Sequence, residues 1–192
     1  MGSFQGELLK NIVGLLPEYD FEKIAVDINE KALRKNKIAD STLVSNLNSL
    51  PIENKSVDLT LTRYTLHWNE WETQEKIISE IKRVTKKFAI VQIAGCTKKD
   101  EQDYWAQMKK LFSGEIPILK RKHSFWCSDE TLEEEFRKQK INFKKVEELR
   151  IPQVSENIIF KYSLKENEAR RVREILGKKD YVIRITYVLF FG

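Results

Sequence analysis

Cysteine is nearly absent from this sequence. Cys96 and Cys127 are far apart and form no CxxC pair, which argues against a disulfide framework and a zinc site and fits a reducing compartment. Histidine is as scarce, with only His67 and His123, so no metal site is expected. Seven glycines and four prolines leave no low-complexity linker, and no repeat is visible. No apolar run approaches the length needed to span a bilayer. The start has no basic segment followed by an apolar block, so no signal peptide is read and a cytoplasmic location is expected.

What is present is charge and short apolar runs. Of 192 residues, 33% are charged and 41% apolar, the balance of a globular chain rather than a disordered one, and the length suits a single domain. The abundance of Lys, Glu and Ile is compatible with a thermophile. The net charge is +5, with basic clusters at Lys120-Arg121-Lys122, Lys144-Lys145, Arg170-Arg171 and Lys178-Lys179. Solvated helix faces and loops account for most of these; a phosphate-bearing or RNA partner is the sharper reading.

Periodicity predicts an apolar helix over 6–16, buried against a sheet and stopped by Pro17. A strand over 21–28 follows, then a short helix over 30–35 capped by Asn29. Strands are read at 42–45 and 57–62. Residues 70–85 form the clearest helix, with Ile77, Ile78, Ile81 and Val84 on one face. The unbroken apolar run 88–93 predicts a strand buried on both faces. Further on, helices are expected over 100–112, after the cap Ser128, and over 165–176 with Gly177 as its C-cap. Strands are expected over 143–151 and 181–191. This alternation implies an α/β fold, doubly wound around a mostly parallel sheet, with an antiparallel C-terminal strand. In such sheets ligands bind at the carboxyl ends of the strands. Three runs end there in polar groups, at Asp27, Asn46 and Arg63. An acid at a strand end is placed to accept from a ribose hydroxyl pair, so a nucleoside cofactor is the first expectation.

Several segments together resemble the class I S-adenosylmethionine-dependent methyltransferases, in particular the type 11 branch. Val26-Asp27-Ile28-Asn29-Glu30-Lys31-Ala32-Leu33 is similar to that family's VDIS…AL segment. Asn46 to Ile52 is similar to DAENLPF, Ser56-Val57-Asp58-Leu59 to SFDLV, Leu66-His67-Trp68 to LHH, and Glu80 to Val84 to E..RVLKPGG. Order and spacing hold over 2–93. The resemblance implies a Rossmann-like methyltransferase fold, S-adenosylmethionine as cofactor, and roles for individual residues. Gly2, Ser3, Phe4 and Gly6 would border the methionine half, with Phe4 standing where a glycine is usual. Asp27 would accept both ribose hydroxyls and Ile28 would pack on the adenine. Asn46, where an acid is common, would accept from the adenine amino group beside Leu47. Arg63 would bind the cofactor carboxylate or an acidic substrate. Tyr64 and His67 are the candidate catalytic residues near the methyl acceptor.

By the same resemblance the family's first strand should precede Gly2, and it is missing. The expectation is a chain that starts late, through a misplaced start or truncation, or a gap filled by a partner chain or an oligomer. The whole chain is read as one domain: a cofactor-binding half over 2–97, a candidate substrate lid over 98–130 and a C-terminal half over 131–192. Thr62-Arg63-Tyr64-Thr65 stands where amino-group DNA and RNA methylases carry an NPPY-type loop, which disfavours base N-methylation. A small-molecule acceptor is expected, with RNA second because of the charge. The alternatives are an inactive methyltransferase-fold binding or scaffold subunit, and another nucleotide-binding α/β enzyme such as a dehydrogenase.

Overall fold

The computed structural model describes Gly2 and residues 6–119 and 127–192. Along the chain the elements are α1 (Glu7–Leu15), β1 (Ile24–Asp27), α2 (Glu30–Leu33), β2 (Ser41–Val44), β3 (Val57–Arg63), α3 (Trp71–Val84), β4 (Thr85–Gly95), α4 (Glu101–Phe112), α5 (Asp129–Lys138), β5 (Asn142–Pro152), α6 (Val154–Tyr162), α7 (Glu166–Leu176) and β6 (Tyr181–Phe190). The expected order is present, with one helix more, α6.

The strands form two sheets. β1 pairs parallel with β2. β3, β4, β6 and β5 form a four-stranded sheet in that order, β3 parallel to β4 and β6 antiparallel to both β4 and β5. The sheet is therefore mixed rather than mostly parallel, and β6 is the expected antiparallel strand. Among the described residues no strand joins the free edge of β1 to that of β3.

The main core lies on one face of the larger sheet. Ile77, Ile78, Ile81 and Val84 of α3, with Leu132 and Phe136 of α5, pack on Ala89, Val91 and Ile93 of β4 and on Ile185, Tyr187 and Leu189 of β6. These strand residues alternate with Phe88, Ile90 and Gln92, which remain partly or largely exposed. So β4 is fully buried on one face only, and the expectation of burial on both is corrected. A continuous apolar run supplies two apolar faces but does not supply a cover for the second.

The same cause corrects the reading of α1. Its apolar stripe is present, but none of its residues is buried and Leu15 is 79% exposed. Leu8 and Ile12 lie over Leu61 and Ile90 and leave a gap of about 50 Å³. Periodicity fixes which side of a helix is apolar, not what lies beneath it.

A second apolar cluster joins Tyr104, Met108 and Leu111 of α4 to Val172 and Leu176 of α7, with Leu119, Cys96 and Val182 between them. It stands at the end of the sheet where β4 finishes. There Cys96 bridges Ser128, and Gly95 lies so close to the Cys127 carbonyl that an added Cβ would come within 2.7 Å of that oxygen.

Candidate functional site

The candidate site is built from the carboxyl ends of β1, at Asp27, and of β3, at Arg63. At the end of β1 the Asp27 carboxylate accepts from the Asn29 N–H at 2.9 Å, and Asn29 in turn caps α2 by accepting from the Ala32 N–H at 3.1 Å. These short-range bonds fix the strand-to-helix turn and hold Asp27 half-buried at the mouth. Ile28 follows with its side chain 72% exposed.

Two glycines with positive φ stand near this mouth. Gly6, at φ 89°, precedes α1, and a Cβ there would meet Asn36 at 2.5 Å. Gly2, at φ 60°, abuts the Thr65 side chain just past β3. Any side chain at either position would be strained and crowded, so both are glycine for a structural reason, and backbone alone lines this part of the crevice. Ser3 and Phe4 lie outside the described residues.

Asn46 is exposed after β2, whereas the Leu47 side chain is buried in the main core with Val26 and Leu50. Leu47 can therefore offer only its backbone to a ligand. Arg63 ends β3 and, with Leu8, Ile12 and Gln92, lines the small gap under α1, its guanidinium 6.0 Å from the Tyr64 ring. Tyr64 adopts φ 54° and donates its N–H to the Gln92 carbonyl, which turns the chain sharply off the sheet. Arg184 of β6 is held above its ordinary pKa by hydrogen bonding to Tyr64 and by the Glu147 carboxylate.

His67 is only 5% exposed, between the rings of Tyr64 (6.3 Å) and Trp68 (5.2 Å). Burial, with a smaller contribution from the nearby Lys161 cation, pushes its pKa down to about 4. The imidazole is neutral at pH 7 and a weak base, which counts against the general-base role expected of it. Burial likewise raises the Cys96 and Cys127 thiols to about 12, so neither is a nucleophile at neutral pH. His123 lies outside the described residues.

Sequence reasoning missed Lys161. Its ammonium lies 5.3 Å from the Trp68 ring and 5.4 Å from that of Tyr162, which brings the end of α6 beside Trp68 and within electrostatic reach of His67. No local signal marks α6. Its first turn is held from a distance: the Asp180 carboxylate accepts from the Ser155 N–H at 2.7 Å and from its hydroxyl.

The segment Glu80-Ile81-Lys82-Arg83-Val84 also gains a physical meaning. Glu80 accepts the Leu50 N–H at 2.7 Å and pairs with Arg83. Arg83 donates to the carbonyls of Leu50 (2.8 Å) and Ile52 (2.7 Å) and to the Asn54 side chain (2.8 Å). The pair clamps the loop that carries the chain from the crevice at Asn46 into β3.

Strands alternating with helices, the first ending at an acid, give an α/β domain with the fold of Rossmann-like methyltransferase structures. Residues 2–92 match the model of the family described as a methyltransferase domain. Over this segment, just under half of its length, the chain is similar to that family. Solved structures share the fold at low identity. The Bacillus subtilis YcgJ protein superposes with a TM-score of 0.75 at 14% identity, over 98% of this chain and 88% of its own. The Haemonchus contortus phosphoethanolamine N-methyltransferase 2, solved with phosphomonomethylethanolamine and S-adenosylhomocysteine, gives 0.66 at 14%, over 98% and 47%. A geranyl diphosphate C-methyltransferase from Streptomyces coelicolor, solved with Mg2+, geranyl diphosphate and S-adenosylhomocysteine, gives 0.64 at 10%, over 100% and 69%. No curated protein matches the chain. Among the described residues no helix is long and apolar enough to cross a membrane, and no cluster of His, Cys, Asp and Glu could hold a metal ion.

Proposed function

We propose that the crevice binds S-adenosylmethionine and that the protein transfers its methyl group to a small-molecule acceptor. Two observations support the reading: half-buried Asp27 and exposed Ile28 at the end of β1, and glycines at 2 and 6 held at positive φ with no room for a Cβ, Gly2 lying against Thr65 just past β3. The donor set suits a nucleoside sulfonium. Asp27 would accept from the two ribose hydroxyls, Ile28 would cover one face of the adenine, and the Asn46 side-chain carbonyl would accept from the adenine amino group. Gly2 and Gly6 would let the backbone approach the methionine half. The bound cofactor would supply an already activated methyl group.

The protein's own task is then orientation and exclusion of water. Tyr64, steered by Arg184, would touch the acceptor, while neutral His67 acts as a positioning residue between Tyr64 and Trp68. The candidate lid over 98–130, of which residues 120–126 lie outside the described residues, would serve the acceptor side together with α6. The net charge of +5 keeps an RNA acceptor as a second reading. The weak basicity of His67 favours the other, a methyltransferase-fold protein that binds cofactor without turnover. Calorimetric titration with S-adenosylhomocysteine tests the proposal. Micromolar binding weakened at least about tenfold by Asp27→Ala is expected; equal binding by both proteins would remove Asp27 from the site and with it the reading. Methyl release in the presence of acceptors then separates enzyme from binding subunit.

A further inference from the structure

At the pole opposite the crevice, the loop before β3 and the C-terminal ends of α3 and α5 enclose an open groove of about 600 Å³. Asn54, Lys55, Ser79, Lys82, Arg83, Lys138, Gln139 and Lys140 line it, so five of eight lining residues are cations and none is an acid. Two of the five are neutralised. Arg83 is paired with Glu80, and Lys138 with Glu75 and Glu135. Lys55, Lys82 and Lys140 have no carboxylate partner among the described residues, and the residues outside them (1, 3–5 and 120–126) include no Asp or Glu.

Helix C-termini attract cations, so the carbonyls have first claim on these side chains. Lys55 Nζ donates to the Lys82 and Thr85 carbonyls at 2.9 and 3.0 Å, and Lys82 Nζ to the Gln139 carbonyl at 2.5 Å. These bonds satisfy the carbonyls and fix both ammonium groups, yet each keeps a donor and its full charge. Lys140 is not needed for capping at all: its backbone N–H already closes α5 onto the Arg137 carbonyl. Both Lys55 and Lys140 sit at φ 55°, in the left-handed region where glycine is the unstrained residue. At two such turns facing one groove the chain carries lysine instead. The groove is also far roomier than a single oxyanion requires.

We propose that this groove is a phosphate-binding site for an elongated polyanion, with Lys55, Lys82 and Lys140 contacting successive phosphate groups. The inference is independent of methyl transfer, because the groove and the crevice lie at opposite ends of β3. A phosphodiester backbone and a free polyphosphate share this chemistry, and the test separates them. Anisotropy of a short fluorescein-labelled oligouridylate should report binding that weakens with salt. Loss of one contact, in Lys140→Gly, should reduce affinity about fivefold at 0.1 M salt and lower the log–log salt slope by about 0.7. Lys140→Gly removes the left-handed strain, so its Tm should hold or rise, and a lost fold cannot explain the result. Lys140→Glu should weaken binding further, whereas Lys178→Glu, the same charge change just before β6, whose first residues pair with the end of β4 away from the groove, should weaken it less. Displacement of the oligomer by tripolyphosphate would support a free polyphosphate as ligand; retention of the oligomer would support the RNA backbone. No salt-dependent binding, or equal effects of Lys140→Glu and Lys178→Glu, would overturn the proposal.

Discussion

Removing the Arg83 guanidinium should loosen the crevice from behind. Arg83 makes two bonds to Glu80 and three to the 50–54 loop, and its side chain is 31% exposed against 14% for Glu80. Hydrogen bonds to charged groups contribute about 1.5–3 kcal/mol each, net of exchange with water, when well buried. The exposed fraction of Arg83 returns part of that to water, so the five are not summed. Arg83→Ala also leaves a largely buried carboxylate with the Leu50 N–H as its remaining partner. A net loss of about 3 kcal/mol follows, or a Tm lower by about 6–12 °C for a domain of this size. Arg83→Lys should recover less than half, because an ammonium cannot serve the carboxylate and two diverging carbonyls together. The pairing with Arg83, above all through its hydrogen bond, holds Glu80 below its ordinary value of 4.5. The clamp's contribution is therefore complete above that value and is lost as pH falls below it. Urea melts of Glu80→Gln, Arg83→Ala and the double variant, at pH 7 and pH 4, check this. A loss under about 0.5 kcal/mol for Arg83→Ala, or strictly additive effects in the cycle, would refute the clamp.

Other consequences are equally direct. His67 is depressed from 6.5 to about 4, so it must charge on unfolding as pH falls. Stability from this group is complete above pH 6.5 and declines towards pH 4, by about 2 kcal/mol between pH 7 and pH 5. His67→Gln should flatten that slope in urea melts, and an unchanged slope would mean that the imidazole is not buried neutral. Gly95→Ala should cost about 1–3 kcal/mol, since its Cβ would meet the Cys127 carbonyl at 2.7 Å in a backbone that has little room to move; a wild-type Tm would contradict the close approach. Asp180→Asn should fray α6 at its first turn and lower stability by about 1–2 kcal/mol, read as faster amide exchange at Ser155 and Glu156.

Much of this is legible along the chain. The strand ending at Asp27, the cap at Asn29, the apolar face of α3 and the cap at Ser128 are local matters of side-chain alternation, helical period and bonds reaching two or three residues. Those causes are written in adjacent letters, so β1, α2, α3 and α5 can be placed from the order of residues alone. The ordered motifs around them carry the resemblance to methyltransferases, and the match over residues 2–92 bears it out.

What cannot be read depends on partners remote in sequence. α6 has no capping signal of its own, because Asp180 supplies it from the start of β6. His67 looks like a base in isolation; burial between Tyr64 and Trp68 and the approach of Lys161 make it a weak one. The apolar stripe of α1 announces a core that the division between β1 and β3 does not place under it. The role of Glu80 and Arg83 becomes physical only when α3 docks beside the 50–54 loop. Sequence by itself determined which side chains prefer water and which short turns close. Tertiary structure alone decided which apolar faces are covered, which charges are paired and how basic a histidine is, because burial and Coulomb interactions depend on distance in space and not along the chain.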